Sequence, residues 1–253
     1  MSIDKLYDNY WKSGLHVSKE WDDKRFKRVM APVLDAKSIL DYGCGLGHAY
    51  QRKLAEGRSY SGADVSSTAL DDVSKKGFQH FAIDSGNGMI GSEDEQFDGA
   101  TSVEVFEHLM DPLAAAKELF RVLRPGGKLV ATVPNFGYHP WRLMALLRAE
   151  VPTEPENRTV NRHNGVHIRY FCPRTLKRLL TDAGFTDVKI DSFDDATVWD
   201  VFRGMGPLSH ISDFARRHFP TPFHLRYLQD IAPSVFAYRL RAVAAKPVPS
   251  MIS

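Results

Sequence analysis

The architecture of this chain follows from one stretch: Ser38-Ile39-Leu40-Asp41-Tyr42-Gly43-Cys44-Gly45-Leu46-Gly47. It opens with a short apolar run, typical of a buried parallel strand, and ends with an acid followed by three glycines at alternate positions. Glycine has no Cβ, so such a turn can take positive φ and let a ligand approach the backbone. Residues 48–56 have helical spacing and end before Gly57. This order of strand, turn and helix places a nucleotide-like ligand at the carboxyl end of the first strand.

The spacing of the glycines argues against a dinucleotide-binding turn. That turn requires G-x-G-x-x-G/A, in which the third small residue lets helix and strand pack closely. Counting from Gly43 the third position is His48, and counting from Gly45 it is Tyr50. Both side chains are bulky, so the sequence indicates a different ligand.

Acids follow the next two predicted strands. Residues 59–63 predict a second strand that ends at Asp64, and residues 78–83 predict a third that ends at Asp84. A carboxylate at the tip of the second strand can accept hydrogen bonds from both hydroxyls of a ribose. The alternative is that Asp64 only caps the end of its strand.

The alternation of strands and helices predicts an α/β fold. Residues 97–103 and 128–133 predict strands four and five, and Asp111-Pro112 begins the helix between them. Crossovers of this kind are right-handed and cover both faces, so they build a doubly wound, mostly parallel sheet. Residues 186–190 and 235–244 predict two further strands, which makes the sheet seven-stranded.

The glycine turn resembles the first motif of the class I S-adenosylmethionine-dependent methyltransferases, Asp-x-Gly-x-Gly-x-Gly after an apolar strand. Later segments are similar to the small-molecule branch that contains the ubiquinone-biosynthesis O-methyltransferases: Glu107 to Pro112, Arg121 to Leu129, Val133 to Asn135 and His167 to Leu176. The resemblance covers residues 35–192. It implies a Rossmann-like methyltransferase fold with an antiparallel last strand, and S-adenosylmethionine as the cofactor.

The resemblance also implies roles for the residues at the strand ends. The turn would hold the amino-acid end of the cofactor, Asp64 the ribose, and Asp84 the adenine amino group. The expected cofactor-binding residues are Asp41, Gly43, Cys44, Gly45, Gly47, Asp64, Val65, Asp84, Ser85 and Glu104.

Methyl transfer is a direct displacement at carbon, so alignment and water exclusion supply most of the acceleration. An oxygen or nitrogen acceptor also loses a proton, and a histidine suits that step at neutral pH. His108, just past the fourth strand, is the candidate base; the alternative is that it packs or caps the junction. The expected substrate contacts are Tyr10, Trp11, His139, His163, His167 and Arg169.

No metal is expected. His163 and His167 lie four residues apart and Cys172 follows five later. This set lacks a fourth ligand at the spacing usual for zinc.

We expect two parts in the chain. Residues 1–34 form an N-terminal helical flap whose Tyr10 and Trp11 cover the cofactor, or else a helix packed on the sheet. Residues 35–253 form the S-adenosylmethionine-binding domain, with helical cap insertions at 134–166 and 196–232. The second insertion is aromatic and basic; a dimer surface or a membrane-facing patch are its alternative roles.

Composition excludes several classes of protein. The net charge of +2 and the lack of an aromatic basic groove argue against an obligate nucleic-acid binder. The two cysteines give no disulfide framework, and the first residues lack the apolar region of a signal peptide. We therefore expect a cytoplasmic protein with little membrane association; a homodimer is compatible with the sequence.

The sequence thus predicts an enzyme that moves a methyl group to an oxygen, less favourably a nitrogen, of a small-molecule acceptor. One alternative is a methyltransferase for glycans or lipid-linked sugars, which would use the basic second half as its acceptor cap. An alternative of another class is a non-catalytic protein that keeps the cofactor fold as an interaction scaffold.

Overall fold

The computed structural model describes residues 2–13, 21–46, 50–138, 141, 142, 146, 167–192, 218, 235 and 237–249. Most of the predicted insertion at 134–166, and all of that at 196–232 except His218, lie outside these residues. Within the described part of the chain, no helix is both long and apolar enough to cross a membrane.

Seven strands form one sheet. They are β1 (Ser38–Tyr42), β2 (Ser59–Asp64), β3 (Gln79–Ala82), β4 (Phe97–Val103), β5 (Leu123–Pro134), β6 (Thr186–Ser192) and β7 (Arg239–Ala245). The strand order is β3-β2-β1-β4-β5-β7-β6. The pairs among the first five strands are parallel, and β7 runs antiparallel to both of its neighbours. This confirms the predicted seven-stranded, mostly parallel α/β fold.

Helices connect the strands and cover the sheet. They are α1 (Ile3–Lys12), α2 (Asp23–Met30), α3 (Tyr50–Ala55), α4 (Ser67–Lys75), α5 (Pro112–Val122) and α6 (Pro173–Asp182). Asp111 caps α5 by accepting hydrogen bonds from the amides of Leu113 and Ala114, and Pro112 stands at the first helical position. This is the start that the Asp-Pro pair predicts.

The core lies on both faces of the sheet because neighbouring side chains of a strand point in opposite directions. In β1, Ile39 belongs to a buried cluster with residues of α2 and α3. The adjacent Leu40 belongs to a second cluster, which contains residues of α5 and α6. Both side chains are fully buried. The apolar run before the glycine turn thus belongs to an interior strand of the sheet, covered on both faces.

Strand β5 begins at Leu123, five residues before the strand predicted at residues 128–133. Gly126 donates to the carbonyl of Lys246 over 2.8 Å, and the Lys246 amide donates to Gly127 over 2.9 Å. The register between β4 and β5 shifts at the same place. Hydrogen bonds from the C-terminal segment therefore keep these residues in the sheet.

The order of the strands reverses between β1 and β4, which is where ligands bind in open α/β sheets. From β1 the chain proceeds outward through β2 to β3, and then returns to β4 on the other side of β1. The carboxyl ends of β1, β2 and β4 thus surround one crevice.

Candidate functional site

The glycine turn after β1 is tied to the end of β2. Gly43 and Gly45 adopt φ angles of 78° and 54°, which residues other than glycine rarely adopt. The Gly43 amide donates to the carbonyl of Ala63 over 2.7 Å. A Cβ at Gly43 would lie 2.3 Å from Cγ2 of Val105, and one at Gly45 would lie 2.7 Å from Cη2 of Trp11. Conformation and space both require the bare backbone that the sequence predicts here.

Asp64 ends β2 with its carboxylate beside this turn. One oxygen accepts a hydrogen bond from the Gly45 amide over 2.9 Å, and the other accepts one from the Ser66 amide over 2.9 Å. The residue is 5% exposed, and this burial is the main reason why the pKa of its carboxyl rises to about 6. An ionised carboxylate offers about four acceptor sites, so acceptor capacity remains for the hydroxyl groups of a ligand.

Asp41 has different partners. Its carboxylate accepts hydrogen bonds from the hydroxyls of Tyr60, over 2.9 Å, and of Thr101, over 2.8 Å. Burial raises the pKa of this carboxyl to about 6 as well. The structure places Asp41 beneath the turn, joined to β2 and β4. The neighbouring Cys44 is also fully buried, and burial raises the pKa of its thiol.

The predicted adenine-side residues follow β3. Asp84 is exposed, and its side chain accepts a hydrogen bond from the Gly86 amide over 2.7 Å. The amide of Ile83 donates to the carbonyl of Asp64 over 2.9 Å, which keeps the ends of β2 and β3 together. Val65 and Ser85, which follow the two strands, are half-buried. The expected ribose and adenine residues are therefore neighbours along one edge of the sheet.

Glu104, which the sequence predicts as a cofactor-binding residue, follows the end of β4 and pairs with two neighbouring strands. Its carboxylate accepts hydrogen bonds from Thr132 Oγ1 and Arg239 Nε, both over 3.0 Å. The paired carboxylate links β4 to β5 and β7. Glu104 also has a φ of 55°, which is a strained value for a residue with a side chain.

His108 lies in a cluster that the sequence predicted only in part. Glu107, which is 1% exposed, has its Oε1 atom 3.9 Å from Nε2 of His108 and 3.9 Å from Nε2 of His167. The two imidazole rings lie 4.7 Å apart between centroids. The amides of Ile168 and Arg169 donate to the carbonyl of Glu107 over 2.9 and 3.0 Å. This backbone contact brings the distant His167 to the strand end.

Tyr7 of α1 connects this cluster with the cofactor side. Its ring packs edge-on against His108, with 6.4 Å between centroids. Burial raises the pKa of its hydroxyl, and the nearby charges of Asp64 and Glu107 raise it further. Tyr7 is therefore close to the predicted ribose carboxylate and to the histidine cluster at once.

The same cluster has the chemistry of a divalent-cation site. One ligand atom from each of Glu107, His108 and His167 lies within 4.8 Å of the others. Imidazole nitrogen with a carboxylate oxygen suits several first-row transition metals. Cys172, the third member of the zinc set weighed above, is instead the N-cap residue of α6, where its amide donates to Thr175 Oγ1 over 2.9 Å.

The other predicted substrate contacts are separated. Trp11 contacts Gly45 of the glycine turn. The Tyr10 ring packs edge-on against the Trp11 ring, with 4.8 Å between centroids. Arg169 is exposed and donates from Nε to the carbonyl of Leu109 over 3.3 Å. Gly47, His139 and His163 lie outside the described residues.

Two acids near these strand ends are not among the site residues that the sequence predicts. Glu107 stands directly beside the candidate base His108 in the sequence, and that position is a usable signal. Asp8 of α1 accepts hydrogen bonds from the hydroxyls of Ser66 and Ser67, which follow β2. No local sequence pattern connects Asp8 with these two serines.

A family model described as "Methyltransferase domain" matches residues 14–190. The match begins after α1 and ends in β6. It includes the glycine turn, the acids after β2 and β3, and the histidine cluster.

Several relatives resemble the chain at moderate identity. A ubiquinone biosynthesis O-methyltransferase of Psychrobacter arcticus is 28% identical over 163 residues, which cover 60% of this chain and 60% of that protein. An uncharacterized 37.1 kDa protein in transposon TN4556 of Streptomyces fradiae is 31% identical over 249 residues, covering 89% of this chain and 68% of that protein. The chain thus spans only about three fifths of the first relative's length.

Solved structures share the fold. A complex between the Haloferax volcanii Trm112 methyltransferase activator and a putative methyltransferase has a TM-score of 0.58 at 16% identity, covering 98% of this chain and 100% of that chain. A phosphoethanolamine N-methyltransferase 2 of Haemonchus contortus, in complex with S-adenosyl-L-methionine, has a TM-score of 0.56 at 17% identity, covering 96% of this chain and 56% of that chain. At this identity the likeness shows the fold alone.

Proposed function

Since the chain belongs to the methyltransferase-domain family, we propose that it moves a methyl group from S-adenosylmethionine to an oxygen atom of a small-molecule acceptor. The observation that carries the acceptor side is the cluster of His108, Glu107 and His167 at the end of β4. Tyr7 connects this cluster to the carboxylate expected to hold the ribose. A proton-accepting group thus stands beside the place where the methyl group would be presented.

The cofactor would bind along the carboxyl ends of β1, β2 and β3. The glycine turn, in which Gly43 and Gly45 have positive φ angles, would bind its amino-acid end. Asp64 retains acceptor capacity for the ribose hydroxyls, and Asp84 follows the next strand for the adenine. Asp41, whose oxygens already accept hydrogen bonds from the hydroxyls of Tyr60 and Thr101, supports the turn from below.

The sulfonium of the cofactor is its own electrophile, so the protein mainly aligns the acceptor and excludes water. Well-oriented reactants gain about 7–11 kcal/mol in this way. Trp11 and Tyr7 cover the turn and the histidine from one side, which keeps water from the reacting atoms.

The acceptor hydroxyl must lose its proton as the new bond forms. In this proposal His108 takes that proton, and the charge of Glu107 stabilises the resulting imidazolium at 3.9 Å. Such base catalysis contributes about 10²–10⁴-fold. Because a neutral amine needs less help than a hydroxyl in attacking the methyl group, a base in this place favours an oxygen acceptor.

The second candidate mechanism uses a divalent cation instead of a base. It is favoured by the three ligand atoms of Glu107, His108 and His167, which lie within 4.8 Å of one another. A cation held there would lower the pKa of an acceptor hydroxyl. The base mechanism and the cation mechanism give the same product, and both use the side chains of Glu107, His108 and His167.

The test is methyl transfer from radiolabelled S-adenosylmethionine to separate panels of phenols and alcohols, amines, and bulk transfer RNA. We expect label in the hydroxyl panel. Label only in amines would refute the oxygen acceptor, and label only in RNA would refute the small-molecule acceptor. The proposal also places the reaction in the cytoplasm.

His108→Gln then tests the base. We expect turnover to fall by about 10²–10⁴-fold, with S-adenosylhomocysteine binding unchanged within about threefold. His80→Gln is the matched control, because His80 is an exposed histidine on β3. Loss of wild-type activity in EDTA, with recovery on adding one divalent metal, would favour the cation; full activity in EDTA would favour the base.

A further inference from the structure

Helix α1 lies over the predicted cofactor and acceptor sites and makes three contacts there. Trp11 lies against Gly45 of the glycine turn, and Tyr7 lies against His108. These two residues are one helical turn apart and share a face. The helix has no fully buried residue, so it is not anchored in the core. The third contact therefore matters for holding α1 in place.

The third contact is made by Asp8, which lies next to Tyr7. Its carboxylate accepts hydrogen bonds from the hydroxyl of Ser66 over 2.5 Å, the hydroxyl of Ser67 over 3.0 Å and the amide of Thr68 over 3.1 Å. Ser66 is the N-cap residue of α4. An acid at a helix N-terminus is favoured by the unsatisfied amides and by the helix dipole. The hydrogen bond from Ser66 is the main reason why the pKa of Asp8 falls to about 2.

The same contact is joined to the predicted ribose carboxylate. The hydroxyl of Ser66 donates to Asp8, while its amide donates to Asp64 over 2.9 Å. Asp64 in turn accepts from the amide of Gly45 over 2.9 Å, and Gly45 is the residue that Trp11 covers. One chain of hydrogen bonds thus connects the attachment of α1 with the two residues expected to hold the cofactor.

We propose that Asp8 is a positioning residue that fastens α1 over the bound cofactor, so that breaking its contact with Ser66, Ser67 and Thr68 controls the release of S-adenosylhomocysteine. The proposal rests on the placement of the cofactor at Gly45 and Asp64 given above. Because Trp11 lies against Gly45 and Tyr7 against His108, α1 must move for a cofactor to enter or leave that place.

The test is the rate at which S-adenosylhomocysteine dissociates, measured by stopped-flow displacement with excess S-adenosylmethionine. We expect Asp8→Ala to raise this rate by about tenfold, because three hydrogen bonds to a charged group are lost. Ser67→Ala removes one of them from an exposed position and should raise the rate about twofold to threefold. Lys5→Ala is the matched control, since Lys5 is exposed on the same helix; it should leave the rate unchanged.

Ser67→Ala should add nothing in the Asp8→Ala background, because its hydroxyl then has no carboxylate to bind. This non-additivity would show that Ser67 acts on the dissociation rate through Asp8. Dissociation rates within about twofold of wild type in both single variants would overturn the proposal. If Asp64→Asn binds S-adenosylhomocysteine as tightly as the wild type, the placement of the cofactor at Gly45 and Asp64 is wrong.

Discussion

The replacement Asp64→Asn separates the two things that this carboxylate does. It keeps the size of a side chain that is 5% exposed, and it keeps one oxygen for a backbone donor. It removes the charge and one acceptor. The amides of Gly45 and Ser66 each donate to a different oxygen of Asp64, so one of them will face an amide nitrogen instead.

The expected loss of cofactor affinity follows from the acceptors removed. A hydrogen bond to a charged group contributes about 1.5–3 kcal/mol. In Asp64→Asn one ribose hydroxyl loses its acceptor, and the other keeps an acceptor that is no longer charged. Together these changes should cost about 2–4 kcal/mol of binding free energy. The dissociation constant of S-adenosylhomocysteine should therefore rise by about 30- to 700-fold.

The stability of the cofactor-free protein should change much less. Burial raises the pKa of Asp64 from 3.8 to about 6, which corresponds to a cost of about 3 kcal/mol at neutral pH. Asparagine avoids that cost, but it leaves one buried amide unpaired at about 1–3 kcal/mol. The two effects oppose each other, so the free energy of unfolding should shift by less than about 2 kcal/mol.

Both quantities are measured on the same samples, by calorimetric titration with S-adenosylhomocysteine and by urea unfolding without ligand. Asp98→Asn is the control. Asp98 accepts hydrogen bonds from Ser38 at the opposite end of the sheet, so its replacement should lower stability and spare binding. A dissociation constant within about threefold of wild type in Asp64→Asn would refute the assignment of the ribose to Asp64.

Two further predictions concern pH and the glycine turn. Because the pKa of Asp64 is about 6 in the folded protein, affinity for S-adenosylhomocysteine should fall as the pH drops below about 6. Binding titrations of Asp64→Asn at the same pH values should show no such fall. A fall that persists in this variant would assign the pH dependence to Asp41. With both carboxyls raised from 3.8 to about 6, the folded state binds protons more tightly than the unfolded one, so their contribution to the free energy of unfolding decreases from about pH 4 to 6. Gly45→Ala should lower stability by about 1–2 kcal/mol and weaken binding of S-adenosylhomocysteine at least about tenfold, because its Cβ displaces Trp11. Gly57→Ala has a similar positive φ of 68° with nothing within 4 Å, so it should show the stability loss in unfolding experiments without the binding loss.

Much of the fold was predictable because its signals are local. The apolar pair Ile39-Leu40 needs cover on both faces of a strand, and the structure provides it from α2 and α3 on one side and from α5 and α6 on the other. The Asp-Pro pair at residues 111 and 112 marks the start of α5 wherever that helix packs. Such features can be predicted from the sequence because each depends on the backbone geometry and burial of only a few consecutive residues.

The histidine cluster shows that local sequence patterns do not predict contacts between distant parts of the chain. His108 was recognised from its place at a strand end, but His167 joins it through backbone hydrogen bonds to Glu107 from a segment far along the chain. Asp8 is a similar case, since its partners Ser66 and Ser67 belong to another helix. Contacts of this kind depend on how the whole sheet is assembled, and the spacing of residues in the sequence does not encode them.

The two buried aspartates show why the position of an acid at a strand end does not settle its role. Asp41 lies near the end of β1 and Asp64 ends the neighbouring β2, and burial raises both pKa values to about 6. The difference lies in their donors. The oxygens of Asp41 meet the hydroxyls of Tyr60 and Thr101, which come from the strands on either side. In the described part of the chain, the donors to Asp64 are the backbone amides of Gly45 and Ser66 at the mouth of the crevice. A ligand with adjacent hydroxyls therefore finds acceptor capacity at Asp64, whereas at Asp41 it would have to displace hydroxyls that join three strands.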